Sequence, residues 1–234
     1  MDRHMSRERL IRRAKMCFER LERIGIRLEP WEKKLIVRAA EILGLVERLP
    51  SIPGHDVEHV FRVLEVSIIL QRKHGGDLRK LVLACLLHDV GRGSEDHAMA
   101  SARLAKELLR GTEFSGIIDD VSRIIEEHSY GSGRRPTSIE SMILQDADRI
   151  DALGAIGIAR VFAYGGHMGR SLYDLEKPRN YGCLGHFFSK IMRLPEAMNT
   201  EMGRKIAEER LRVVRLFVER MLREISLDDI ASLI

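Results

Sequence analysis

An all-α fold follows from three observations. Apolar residues recur at three- and four-residue spacing along most of the chain, no segment sustains apolar–polar alternation, and no short Gly-containing turn joins two apolar runs as in a hairpin. About eight to ten helices of ordinary length are expected, with no internal repeat.

Length and composition bound the rest. A chain of 234 residues is one domain, or one domain with an appendage, and buries a large core without disulfides. The three cysteines, Cys17, Cys85 and Cys183, are widely spaced with no Cys-x-x-Cys, which speaks against a thiolate zinc site and for a reducing compartment. No signal-peptide pattern opens the chain and no stretch is apolar enough to span a membrane, so the reading is cytoplasmic with no membrane partner. The net charge of +4 gathers as arginine and lysine between Arg3 and Lys34. Such a segment can hold nucleic acid or collect an anion. Interleaved Glu8, Glu19, Glu22 and Glu32 favour a solvated helix face instead, and an aromatic content of 5% argues against base stacking, so nucleic acid is the disfavoured partner.

The elements follow in order. Ser6 caps a helix to Ile24, with Leu10, Ala14, Cys17 and Leu21 on one face and Gly25 beyond its end. Pro30 opens a second helix, from Trp31 to Glu47. Ser51-Ile52-Pro53-Gly54 breaks the chain, so residues 1–50 read as accessory helices and 51–234 as the main domain. Asp56 caps a helix to Lys73 in which His59 faces or flanks the core. Asp77 caps Leu78 to Leu87, and Ser94 or Asp96 starts a helix to Arg110 with Ala98, Ala102, Ala105 and Leu108 inward. A helix from Ile117 to Glu127 closes on His128. The segment from Ile139 to Tyr164 reads as one apolar element, in which Gly154 and Gly157 suggest close helix–helix approach. Gly165 to Gly185 reads as a long irregular region, often a functional lid in compact domains. His186 to Leu194 forms a short helix stopped by Pro195, and Thr200 to Leu227 a long amphipathic one. The apolar faces of the long helices can pair two copies as a homodimer or pack on the domain.

The chemistry concentrates at the end of Leu81-Val82-Leu83-Ala84-Cys85-Leu86-Leu87-His88-Asp89-Val90-Gly91. A core run that ends in His-Asp places both groups at a buried edge, where they need partners. A metal ion satisfies an imidazole and a carboxylate together, and local hydrogen bonds at a helix end are the alternative. His59 and Asp148 offer further hard ligands on apolar helices. Asp148 and Asp151 lie one turn apart in Gln145-Asp146-Ala147-Asp148-Arg149-Ile150-Asp151, and three acids in so apolar a stretch need a reason.

A histidine, then a His-Asp pair, then a distant aspartate, all on helices, resembles the HD-domain superfamily of metal-dependent phosphohydrolases. His55-Asp56-x-x-His59-x-x-Arg62-Val63, Ala84-x-x-x-His88-Asp89-Val90-Gly91 and the run from Gln145 to Ala152 resemble its YedJ-like branch of predicted HD hydrolases, as do the run from Gly154 to Arg160 and His186-Phe187-Phe188-Ser189-Lys190. The resemblance covers roughly Ile52 to Glu224. It implies an HD-domain helical bundle with additional N-terminal helices, in which His59, His88, Asp89 and Asp148 hold one or two divalent ions (Mn, Fe, Ni, Co, Zn or Mg). It further implies hydrolysis of a small phosphate ester, a nucleotide among the candidates, by metal-activated water.

Asp89, His97 and His128 are the candidate catalytic groups; His97 and His128 suit a second metal, a phosphate contact, a proton donor, or a plain surface or capping role. Arg62, Arg92, Arg149, Arg160 and Lys190 are candidate phosphate contacts, and Asp56 can orient a ligand imidazole. The chain has Val90-Gly91-Arg92 where nucleotidases and stringent-response hydrolases of this superfamily place acids. That departure speaks against a helper carboxylate from this loop and for anion binding by Arg92. The competing reading is a metal-retaining binding or regulatory module that docks nucleic acid or protein through the basic N-terminal helices. A lyase or oxygenase on the same scaffold is a third.

Overall fold

The structure is a computed structural model, described over residues 6–46 and 52–231 with the Ser132 side chain excepted. The expected domain boundary at residues 50 and 51 and the end of the second helix at Glu47 lie outside the described residues. Eleven α-helices and three 3-10 helices make up the fold, with no strand among the described residues, as an all-α fold requires. The chain forms two compact units. One holds residues 6–46 and His55–Asp148, the other Ile52–Gly54 and residues 149–231.

The first unit is built around α4 (Leu78–Leu87). Helices α1 (Arg7–Arg23) and α2 (Pro30–Leu43) lead into α3 (Val57–His74), which precedes α4. α5 (His97–Leu109) and α6 (Ile118–Glu127) follow, then the start of α7 (Ile139–Asp151). α4 packs against α2, α3, α5 and α6, and every residue from Leu81 to Leu87 is fully buried. A helix apolar on all sides has to be enclosed this way, and each such leucine or valine contributes about 1.5–3 kcal/mol by leaving water. α1 packs on α2 and α3, so the N-terminal helices share this core.

The starts of these helices are chemically defined. Ser6, Asp56, Asp77 and Asp96 each accept a backbone N–H of the first turn, from Arg9, His59, Arg79 and Met99 respectively. In α5 the last inward position goes to Leu109 rather than Leu108. After α4 the chain turns at His88 and Asp89. Gly91 lies so close to α5 that a Cβ there would overlap the Ser101 amide nitrogen, while the Gly91 N–H donates to Ser101 Oγ at 2.9 Å.

The expected single element from Ile139 to Tyr164 is two helices. α7 ends at Asp151, Leu153 is extended, and α8 (Gly154–His167) begins at a glycine with φ +71°. That left-handed conformation suits glycine. At Gly157 a Cβ would overlap the Ala152 carbonyl of the same bend, so this glycine serves the break rather than helix–helix contact. Gly154 does meet another helix, at the Arg210 side chain.

The irregular stretch is shorter than expected, because α8 runs to His167 and α9 (Gly182–Ser189) starts early. The expected helix from His186 to Leu194 is thus the end of α9 followed by a 3-10 helix, Ile191–Ala197, which carries Pro195 within it. Lys190, at φ −136° and ψ −60°, separates the two. Thr200 caps α10 (Glu201–Ile225), and α11 (Asp228–Ala231) ends the described chain. In this second unit α10 packs on α8, on the 3-10 helix and on α11, and Phe162, Phe187 and Phe217 meet with ring centres 5.7–5.9 Å apart.

Candidate metal centre

Four elements of the first unit deliver a cluster. His59 comes from the first turn of α3, His88 and Asp89 from the end of α4, His128 from the end of α6, and Asp148 from α7. His59 Nε2 lies 3.4 Å from Asp148 Oδ1, 3.7 Å from Asp89 Oδ2 and 3.3 Å from His88 Nε2. His88 Nε2 is 3.9 Å from Asp89 Oδ2, and His128 Nε2 is 3.9 Å from Asp89 Oδ1.

Backbone chemistry aims the imidazoles. His88 Nδ1 donates to the Cys85 carbonyl at 2.7 Å and His128 Nδ1 to the Ile125 carbonyl at 2.6 Å. A carbonyl only accepts, so the proton sits on Nδ1 and each Nε2 carries a lone pair into the cluster. His128 is held further because the residue before it is held. The buried Glu127 carboxylate accepts from Thr137 N and Thr137 Oγ1, and Gln145 donates to the Glu127 carbonyl.

His55 clasps Asp89. Its Nδ1 meets Asp89 Oδ2 at 3.0 Å, while Arg92 donates to His55 Nε2 at 2.8 Å and to Asp89 Oδ1 at 3.2 Å. A guanidinium only donates, so His55 carries its proton on Nδ1 and gives it to Asp89. Asp56, by contrast, grips the backbone of His59 rather than a ring. Five of the nine histidines form a row, His55–His59–His88–His128–His97, with neighbouring ring centres 5.0–5.3 Å apart and edge-to-face. The contact between His55 and Asp89 is hard to see in the sequence, because the two stand 34 residues apart.

The electrostatics match a cation site. Burial alone would raise the Asp89 carboxyl, but His88, the hydrogen bond from His55, Arg92 and His59 together hold it well below the usual carboxylate range. At Asp148, burial is likewise outweighed, by His59, His88 and His128, and the group is held low. Burial, with His88, pushes His128 down to about 4 against the pull of Asp148 and Asp89. Burial and Arg92 lower His97 as well. The cluster thus presents two carboxylates held ionised and, at His128 and His97, imidazoles held toward their neutral form. Three groups have ligand atoms within 4.8 Å of one another: His55, His59 and Asp89; His59, His88 and Asp148; His88, Asp89 and His128. Neutral imidazole with carboxylate is the donor set of a divalent ion of the Mn-to-Zn series, so the residues fit. Asp148 is the open side: its side chain is 24% exposed, against 2% or less for His59, His88, Asp89 and His128.

Two expected outcomes follow. Replacing His55 by Gln frees Asp89 to rotate and lowers divalent-metal affinity by about 10–100-fold with the fold retained, read by equilibrium dialysis against Mn; unchanged affinity would show that Asp89 needs no such support. In metal-free protein, a histidine near 6.5 when unfolded and about 4 when folded binds its proton first in the unfolded state. Stability therefore falls as pH drops from about 6.5 to about 4, by up to about 3 kcal/mol from His128. Denaturant titrations of wild type beside His128→Gln check this, since the variant's pH slope should be flatter.

The other candidates sit elsewhere. Arg92 lies in the cluster's hydrogen-bond network. Arg149, Arg160 and Lys190 belong to the second unit, where Arg149 donates to the Ala197 carbonyl and Arg160 pairs with Asp151 at 2.8 Å. Four of the ten described cations between Arg7 and Lys34 are paired: Arg7 with Glu41, Arg13 with Glu58, Arg20 with Glu65, and Lys33 with Glu22.

Comparison with known proteins bears on this geometry. The HD domain family matches residues 56–153, a span that contains His59, His88, Asp89, His128 and Asp148. Bacillus subtilis YpgQ, an uncharacterized protein, is 35% identical over 181 residues, covering 74% of this chain and 85% of YpgQ. A crystal structure of YpgQ in complex with ADP superposes with a TM-score of 0.65 at 30% identity, covering 80% of this chain and 96% of that one. A crystal structure of an HD-superfamily hydrolase from Bacillus thuringiensis gives a TM-score of 0.63 at 36% identity, covering 83% of this chain and 96% of that one. No helix among the described residues is long and apolar enough to cross a membrane.

Proposed function

This chain belongs to the HD superfamily of predicted hydrolases, and from that premise we propose that it is a metal-dependent phosphohydrolase acting on a small phosphate ester of the nucleotide class. The observation that carries the reading is the convergence of His59, His88, Asp89 and Asp148, with the His88 lone pair aimed inward by the Cys85 carbonyl. The bound ADP of the YpgQ structure supports a nucleotide substrate.

His59, His88, Asp89 and Asp148 would hold the ion. When bound, such an ion supplies Lewis acidity toward a phosphoryl oxygen and raises the acidity of a water molecule. Asp89 is kept ionised by its neighbours and kept in place by His55 and Arg92. Hydrolysis adds a water oxygen to phosphorus and breaks the bond to the leaving oxygen, so a proton must pass from the water and one must reach the leaving group. His128 carries its proton on Nδ1, which leaves Nε2 as its accepting atom. His97, beside His128, is the second proton carrier we propose. Arg92 sits on the cluster and offsets charge on the phosphoryl oxygens.

Ion pairs that engage Arg7, Arg13, Arg20 and Lys33 support this reading over a module that docks nucleic acid through those helices. The test is a panel of nucleoside mono-, di- and triphosphates and simple phosphate esters, given to full-length protein loaded in turn with Mn, Co, Ni, Zn and Mg. Release of phosphate or pyrophosphate from nucleotides, abolished by a chelator and restored by the ion, is expected. Stoichiometric metal uptake without cleavage of any phosphate ester would favour the binding module.

A further inference from the structure

The second unit carries an open surface groove of about 370 Å³, lined by exposed polar residues around a half-buried His186, that the proposed reaction does not use. It is lined by Arg170, Ser171, Asn180, Tyr181, His186 and Ser189, together with two glycines of α9. The residues between α8 and α9 form this wall as an ordered turn. Arg170 N donates to the Gly165 carbonyl at 2.8 Å, Cys183 N to Ser171 O and Leu184 N to Leu172 O, each at 2.9 Å. The wall is tight, because a Cβ at Gly185 would overlap the Asn180 backbone.

The charge of the lining is one-sided. Arg170 and His186 face the groove and no carboxylate lines it. Arg170 stacks over the Tyr164 ring at 5.8 Å and makes no ion pair among the described residues. The influences on His186 are burial, Lys190 and Arg170, all of one sign, with no acid opposing them. Hydroxyls of Ser171 and Tyr181 and the Asn180 amide add neutral donors, while the Ser189 hydroxyl donates to the His186 carbonyl. A guanidinium with several neutral donors, in a groove without acids, is the chemistry that recognises an oxyanion.

We propose that this groove is an anion-binding site for a phosphate group, with Arg170 as its charged contact and His186, Ser171 and Asn180 as its polar ones. The site is independent of the hydrolase reading, since none of these residues belongs to the His/Asp cluster. Two sources present the same chemistry: free inorganic phosphate, and a phosphate carried on a nucleotide.

The experiment is calorimetric titration of chelator-treated, full-length protein with inorganic phosphate and, separately, with ADP. Arg170→Gln should weaken phosphate binding by about tenfold or more, as expected for loss of a charge-assisted hydrogen bond. His186→Asn should weaken it less, and Ser171→Asp, which puts a carboxylate into the groove, should abolish it. If ADP weakens in parallel, the groove takes a nucleotide's phosphate; if only inorganic phosphate does, it takes the free anion. The proposal is overturned if wild type binds neither probe at millimolar concentration, or if Arg170→Gln and Ser171→Asp bind like wild type while melting normally. Loss of hydrolysis in Asp89→Ala with phosphate binding intact would separate this site from the reaction.

Discussion

Asp89→Ala protein, purified untagged beside wild type, should carry no stoichiometric divalent metal and should hydrolyse nucleotides at least about 100-fold more slowly. Mutation of groups that only support a ligand already costs about 10–100-fold in affinity or activity, and Asp89 is more central than that. Its two oxygens meet His55, His59, His88, Arg92 and His128 within 3.0–3.9 Å. Removing the carboxylate leaves Arg92 and the imidazoles facing one another without a counter-charge, so Asp89→Asn, which preserves shape, is the second variant. Elemental analysis decides the matter. Wild type should hold about one or two ions per chain, as this donor set allows, and both variants close to none. A full complement of metal in Asp89→Asn would remove Asp89 from the ligand set.

Arg160→Ala should be the more damaging change to stability. Arg160 donates to Asp151 Oδ2 at 2.8 Å, and Asp151 is 1% exposed. Removing one member of a buried pair leaves an uncompensated charge and costs about 3–5 kcal/mol. The expected result is a clear fall in the denaturation midpoint of Arg160→Ala, with a smaller fall for the double variant Arg160→Met/Asp151→Leu. If Arg160→Ala instead unfolds like wild type and loses affinity for phosphate esters, Arg160 serves the substrate rather than the fold.

The sequence and the tertiary structure divide the explanation at recognisable places. The bounds of α4, the caps at Ser6, Asp56 and Asp77, the helix start at Asp96 offered beside Ser94, and the absence of strands among the described residues are local matters of period and hydrogen-bond chemistry, and they were legible. The break between α7 and α8 was not. Apolar and small residues continue through it, and only the extended Leu153 with the left-handed Gly154 shows that the helix stops. The same holds for α9, where helical residues precede and follow Lys190 and its backbone alone ends the helix.

At the metal centre, His59, His88, Asp89 and Asp148 stood out because polar groups at the edges of apolar helices need partners, a condition each segment states for itself. What they partner depends on distance in space. The His55 and Arg92 clasp on Asp89 joins segments more than thirty residues apart, and the inward aim of His88 and His128 needs carbonyls freed at two helix ends. The amino-acid order by itself determined the helices, their caps and the residues able to bind an ion. Tertiary packing alone decided which nitrogen of each imidazole faces the cluster, which carboxylates stay ionised and where the groove beside α9 opens, because these follow from contacts that no local pattern encodes.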